Sequence, residues 1–189
     1  MFAVRIHGRG GQGVVTAAEL LAMAAFVEGR HAQAFPSFGS ERTGAPVAAF
    51  CRIDDEPIRT REPILAPDAV VVADPTVLHQ VDVLGGLRSG GYLLVNTARP
   101  AGDLHLAPGL EMRLCLVPAT ELALTHVGRP LPNAALLGGF AAFTGCLRLE
   151  SVVAAIGQRF AQPVAARNAA AARAAYAAVR AAYPEVSRA

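Results

Sequence analysis

The stretch RIHGRGGQGVVTAAELLA, residues 5–22, most narrows what this chain can fold into. A β-like run breaks into Gly8, Gly10, Gly11 and Gly13, and apolar residues at helical spacing follow, with Val15, Leu20, Leu21 and Ala24 near one face. Strand, glycine turn and helix in that order are the opening unit of an α/β sheet, and the spacing of Gly8, Gly10 and Gly13 satisfies GxGxxG in that context. In such a turn the first glycine permits the bend, the second lets a phosphate approach the backbone, and the third lets helix and strand pack closely. Free N–H groups at the helix start favour an anion, to which Arg9 adds a charged donor.

The rest of the chain continues the alternation. FAVRIH (2–7), HAQAF (31–35), VAAFCRI (47–53), AVVVAD (69–74), YLLVNT (92–97) and MRLCLVPAT (112–120) read as strands. The first helix follows the glycines, with Gly29 as its C-cap. PTVLHQVDVLGGL reads as a helix starting near Pro75, and TELALTHVG as a short helix with Thr120 as N-cap. PNAALLGGFAAFTGCL, ESVVAAIGQRF and PVAARNAAAARAAYAAVRAAY read as three closing helices. The pattern predicts one Rossmann-like, three-layer α/β domain over residues 1–189, with a mostly parallel sheet and C-terminal helices packed on it.

Composition removes several functions. A net charge of +2, with the arginines scattered, gives no footprint for nucleic acid, and every basic side chain is Arg, which excludes a catalytic lysine. The first residues lack the features of a signal peptide, and no apolar run reaches the ~20 residues of a membrane span, so a cytoplasmic protein without a membrane partner is expected. Cys51, Cys115 and Cys146 lie far apart with no CxxC, which signals neither a disulfide framework nor a cluster or zinc site.

A dinucleotide site wants an acidic residue at the end of the second strand to hold the ribose hydroxyls. Here that strand ends in Ala34, Phe35, Pro36 and Ser37, and Glu28 lies before it. The glycines are also open to a purely structural reading as a tight β–α junction. A third reading pairs them with SFGSERTGAP, residues 37–46, which should emerge at the same sheet edge. Ser40, Glu41, Arg42 and Thr43 there offer hydrogen bonds and charge of both signs, and Gly39 and Gly44 allow close approach or a bend.

RIHGRGGQGVVTAAELLA, FPSFGSERTGAPV and PNAALLGGF together resemble the gamma subunit of the pyruvate and related 2-oxoacid:ferredoxin (acceptor) oxidoreductases, and Asn168 in ARNAAAARAAY also fits. The resemblance implies a subunit of a complex that converts a 2-oxoacid and coenzyme A to acyl-CoA and carbon dioxide, passing electrons to ferredoxin or another acceptor. It also implies that thiamine diphosphate, Mg2+ and [4Fe-4S] clusters reside in the beta and delta partner subunits, with alpha as a further partner. In keeping with that, this chain has no cysteine spacing for clusters and no GDG-type stretch followed by Asn. By the same resemblance Gly8, Arg9, Gly10, Gly11, Gln12 and Gly13, with Ser37, Phe38, Gly39, Ser40, Glu41 and Arg42, face a shared coenzyme A cleft. Asn133 joins them at a helix start, as a cap or a ligand donor, and Arg42 is the candidate for pairing with a phosphate or carboxylate.

No catalytic residue is assigned. His7 stands just before the glycines as a cleft or a core histidine, His31, His79, His105 and His126 fall in separate elements, and Asp74 sits at a strand edge as a ligand or a cap. Two rivals remain open at this point: a free-standing nucleotide-binding oxidoreductase and a pure assembly module.

Overall fold

The computed structural model describes residues 1–37, 43–60, 62–107, 109 and 111–184. Six strands form one sheet: β1 (Phe2–Arg9), β2 (His31–Pro36), β3 (Pro46–Asp54), β4 (Ala69–Val72), β5 (Gly91–Asn96) and β6 (Met112–Val117), in the order β2-β3-β1-β4-β5-β6. β1, β4, β5 and β6 pair in parallel, whereas β3 runs antiparallel to both β1 and β2. The central strands are apolar on both faces, as the runs AVVV and GYLLVN required.

One face carries α1 (Val14–Val27), α2 (Ala119–Val127), α3 (Asn133–Thr144), α4 (Leu149–Arg159) and α5 (Val164–Ala182), whose buried residues join Val4, Ile6, Cys51, Val71, Leu94 and Val117 in the main core. The opposite face, with Val70, Val72, Leu93 and Val95, is covered by two 3₁₀ turns, Pro75–His79 and Ala101–Leu104, and by irregular segments. The expected helix from Pro75 is therefore one short turn. Asp82 accepts from the N–H of Gly85, and Gly86 takes a positive φ, a turn that a continuing helix would not allow. Buried Arg5 secures this layer by donating to the carbonyls of Val83 (2.9 Å) and Gly85 (2.6 Å), and Arg52 does the same for Glu62.

Thr120 is not the cap of α2. It lies inside the first turn, where its N–H donates to Asn96 Oδ1 at 3.0 Å and its hydroxyl accepts from Asn96 Nδ2 at 2.7 Å, so β5 supplies the cap from a distance. Gly138 lets α3 and α5 touch: a methyl group there would overlap the Ala172 carbonyl. Their close packing fixes the separation of the two helix starts described below.

Candidate functional site

The glycine loop sits at the carboxyl end of β1, and the 37–46 connection meets it there. Gly10 donates to the Ala45 carbonyl at 2.9 Å and accepts from the Gly44 N–H at 3.1 Å. Ser37 continues the β2–β3 ladder by donating to Ala48 at 2.8 Å. Phe38, Gly39, Ser40, Glu41 and Arg42 lie outside the described residues.

The glycines divide their work differently from the expected scheme. Gly8 serves close packing, since a Cβ there would stand 2.7 Å from Val14 and 3.0 Å from Ala73. Gly11 and Gly13 adopt φ values of 95° and 75°, and Gly13 is the left-handed N-cap of α1. The second glycine of the motif, Gly10, has its N–H engaged by Ala45. The geometry also departs from a dinucleotide fold. Antiparallel β3 separates β1 from β2, so the end of β2 stands two strand spacings, about 10 Å, from the turn.

Gln12 ties the loop to the sheet edge. Its Oε1 accepts from the Arg9 N–H (2.8 Å) and its Nε2 donates to Asp74 (2.9 Å). Arg9 is occupied as well: its guanidinium donates to Thr76 Oγ1 (2.6 Å) and the Gly44 carbonyl (2.9 Å) and lies 3.3 Å from Asp74. Asp74 also caps the first 3₁₀ turn through the Thr76 N–H. Partial burial would raise its pKa, but the hydrogen bonds from Thr76 and Gln12 and the charge of Arg9 hold it below the usual carboxylate range. Sequence reasoning placed Asp74 at this edge and did not see that it anchors the glycine loop.

The loop separates two clefts of opposite character. On the Gln12 side a cleft of about 220 Å³ is lined by Asp74, Asn96, Thr97, Thr120 and Glu121, acidic and hydroxyl-rich. On the Gly11 and Gly13 side a cleft of about 410 Å³ is lined by Thr16, Val127, Arg129, Leu131, Asn133, Phe160, Val164, Arg167 and Asn168, with no acidic side chain among the described residues.

Three helix N-termini line the larger cleft, α1 at Gly13, α3 at Asn133 and α5 at Val164 to Asn168, and so do two C-terminal ends, of α2 at Val127 and of α4 at Phe160. None of the three has an acidic residue in its first turn or a side-chain cap, whereas α2 and α4, which start elsewhere, carry Glu121 and Glu150. Each start carries about half a positive charge, with the Ala134 N–H of α3 taken by Asn133 Oδ1 and the Ala165 N–H of α5 by the Ala161 carbonyl. Arg129 and Arg167 add two guanidinium groups that make no hydrogen bond or ion pair among the described residues. A cation in the first turn of α5 works against the helix dipole and is left without compensation among the described residues.

Two asparagines, 8% and 5% exposed, complete the cleft. Asn133 is the first residue of α3 and not its cap, which is Pro132; its Oδ1 accepts from the Ala134 N–H at 2.8 Å. Its Nδ2 is therefore the atom left to donate into the cleft. Asn168 Nδ2 donates to the Val164 carbonyl at 2.9 Å, which leaves its Oδ1 to accept. The cleft thus brings Gly11, Gly13 and Asn133 together, with Gly8, Arg9, Gly10 and Gln12 acting behind or beside it. Arg129 and Arg167 were not singled out from the sequence; their positions, four residues before Asn133 and one before Asn168, are the only local signal.

The remaining titratable groups form no second centre. Burial, followed by the nearby Arg5 charge, pulls His7 down to about 4, and its Nε2 is buried without a partner. His79 and His105, read as separate, approach with ring centroids 6.3 Å apart on the helix-free face. Cys51 and Cys115 are buried, which raises both thiols, Cys115 to about 12, and Cys146 is raised as well. Among the described residues no three His, Cys, Asp or Glu gather to hold a metal, and no helix is long and apolar enough to cross a membrane.

Comparison with known proteins defines the class. Residues 3–178 match the family model described as pyruvate ferredoxin/flavodoxin oxidoreductase. The chain belongs to that family, as one of its gamma-type subunits. It is 50% identical over 177 residues to the pyruvate/ketoisovalerate oxidoreductases common subunit gamma of Thermococcus litoralis, covering 93% of this chain and 96% of that one. Against pyruvate synthase subunit PorC of Methanothermobacter thermautotrophicus the identity is 46% over 176 residues, covering 93% and 94%. The solved pyruvate oxidoreductase subunit PORC of Thermotoga maritima matches with a TM-score of 0.82 and 39% identity, covering 93% of this chain and 95% of that chain.

Proposed function

We propose that this chain serves a cytoplasmic 2-oxoacid oxidoreductase complex by holding coenzyme A in the larger cleft and completing a subunit interface, with no reacting group of its own. The observation that carries this reading is the convergence of three uncapped helix starts and two unpaired arginines on one cleft without acids. That field selects a polyanion, and the charged end of coenzyme A is one. Asn133 Nδ2 and Asn168 Oδ1 add one donor and one acceptor for its polar edges. The names of the relatives favour pyruvate or ketoisovalerate as the 2-oxoacid and ferredoxin as the acceptor.

Thiamine diphosphate with Mg2+ and [4Fe-4S] clusters supply the decarboxylation and electron transfer, and the residues of this chain do not suit them. The three cysteines sit in separate elements with thiols raised by burial, the opposite of what cluster ligation needs. These cofactors are assigned, as the resemblance implies, to the beta and delta partners. Ser37, Phe38, Gly39, Ser40, Glu41 and Arg42 are proposed, on the family resemblance alone, to contribute to the coenzyme A cleft.

The test is anaerobic isolation of the tagged protein from its own cells, followed by native mass spectrometry, an iron and thiamine diphosphate assay, and 2-oxoacid-dependent dye reduction with coenzyme A. Larger subunits carrying both cofactors are expected, and Asn133→Ala in that complex should raise KM for coenzyme A. A lone, cofactor-free chain overturns the reading. An assembled complex whose KM ignores Asn133 would return the chain to a pure assembly role.

A further inference from the structure

We infer that His79 and His105 form a two-imidazole site for a late first-row divalent metal ion, Zn2+ or Ni2+, which clips together the two turns of the helix-free face. The inference goes beyond the coenzyme A reading and is independent of it.

Topology brings the pair together. His79 ends the 3₁₀ turn that leaves β4, and His105 follows the 3₁₀ turn that leaves β5, so the two belong to neighbouring crossovers. Their ring centroids are 6.3 Å apart, both side chains are exposed, and neither ring has a hydrogen bond or ion pair among the described residues. An ion bound at about 2.0–2.1 Å to one nitrogen of each ring would hold the centroids about 5.5 Å apart. A small rotation of two exposed side chains closes that difference.

The backbone of His105 is the second observation. With φ 47° and ψ 42° it is the one non-glycine residue at positive φ among the described residues, where the chain otherwise uses glycine nine times. A side chain with a Cβ takes that conformation at a cost, and strained residues of this kind cluster at ligand sites. Glycine would close the turn more cheaply, so the imidazole is what sets this position apart.

The lining decides which cation. The groove of about 400 Å³ that holds both rings has Asp82 as its single acidic side chain, no arginine, and an apolar wall that includes Leu78, Leu84 and Leu106. Mg2+ and Ca2+ want several oxygen ligands, which one carboxylate does not supply, whereas imidazole nitrogen suits Zn2+, Ni2+ and Cu2+. Two imidazoles make half of a tetrahedral shell, short of the three-residue centre that the described residues lack, and water fills the rest. The ion would cross-link two irregular crossovers that lie over Val70, Val72, Leu93 and Val95, the layer in which the fold has no helix. An ion that binds only the folded arrangement stabilises it by mass action.

The experiment is thermal unfolding of the untagged full chain with Zn2+, Ni2+, Mg2+ or Ca2+, and calorimetric titration with Zn2+ and Ni2+, repeated for His79→Ala, His105→Asn and His105→Gly. Zn2+ and Ni2+ should bind at one site per chain and raise Tm, and Mg2+ and Ca2+ should leave it unchanged. Each variant should weaken binding at least about 10-fold, since losing one of two ligands costs no less than losing an outer-shell partner, and should abolish the rise in Tm. His105→Gly separates ring from backbone: it relieves the positive φ, so the metal-free variant should be at least as stable as the unaltered chain and still not respond to metal. No binding by the unaltered chain, or binding that survives in the His79 and His105 variants, would overturn the site. Binding without a rise in Tm would overturn the clip and leave an adventitious ion only.

Discussion

A side-chain carbon on Gly13 would stand 2.7 Å from Asn133 Nδ2, so the start of α1 and the start of α3 are in contact through a hydrogen atom's worth of space. Two helix N-termini repel each other electrostatically and expose unsatisfied donors, and chains usually relieve that with acidic caps. This one has no acid in either first turn, covers only the Ala134 N–H with Asn133 Oδ1, brings α5 alongside, and adds arginines. The arrangement costs the isolated chain stability that a bound anion would return.

Gly13→Ala tests that contact. A left-handed alanine costs about 1–2 kcal/mol, and here it would also push Asn133 aside. Gly29→Ala is the control, because Gly29 has φ 75°, no atom within 4 Å of a Cβ position and no place in the cleft lining. Both variants should unfold at lower urea concentration, and Gly13→Ala should in addition raise KM for coenzyme A in the complex. Matching KM values for the two variants would separate Asn133 from the ligand.

Gly138→Ala reaches the same cleft from behind. A methyl group there overlaps the Ala172 carbonyl, so α5 must move away from α3, and Asn168, one turn before Ala172, must move away from Asn133. Overpacking of this kind costs about 1–3 kcal/mol. The expected result is a lower Tm together with weaker coenzyme A binding, although Gly138 does not line the cleft. A loss of stability with coenzyme A affinity unchanged would show that the α3–α5 spacing does not set the site.

The sequence made the strands and the glycine turn readable because apolar runs such as AVVV have few alternatives in a parallel sheet. Strand order was not readable: β3 between β1 and β2 is a tertiary outcome, and it is what displaces the end of β2 from the dinucleotide position. The helix expected after Pro75 failed where the Asp82 turn competed with helical spacing, and Arg5 then satisfied the carbonyls that a helix would have paired internally. Asn133 was legible through its motif. Arg129 and Arg167 were not, because nothing local distinguishes a lining arginine from a solvated one.

His7 predicts a pH dependence of stability. Burial and the charge of Arg5 lower its folded pKa to about 4, from about 6.5 when unfolded. Below pH 6.5 the unfolded chain takes up a proton that the folded chain refuses, so stability falls with pH until about 4 and then levels off for this group. The loss over that window is about 3 kcal/mol. Urea unfolding between pH 7 and 4 should show the slope, and His7→Leu should flatten it; an unchanged slope would assign the acid sensitivity to other groups.

Asp74 governs a lower window. Partial burial alone would raise its pKa, yet hydrogen bonds from Thr76 and Gln12 and the charge of Arg9 depress it, so its contribution is full above the usual carboxylate value near 4 and fades as pH drops through the lowered folded value. Asp74→Asn keeps the shape but loses the charge that holds Arg9 and one of the two oxygens that accept from Thr76 and Gln12. The variant should lose about 1–3 kcal/mol at neutral pH, the cost of breaking charge-assisted hydrogen bonds, and show a smaller further loss below pH 4 than the unaltered chain. Because Gln12 is the tether between Asp74 and the turn, the same substitution should loosen Gly11 and Gly13 and speed hydrogen exchange of their amides. Exchange that stays as slow as in the unaltered chain would mean that the glycine loop holds its shape through Gly10 and its pairing with Ala45 and Gly44 alone.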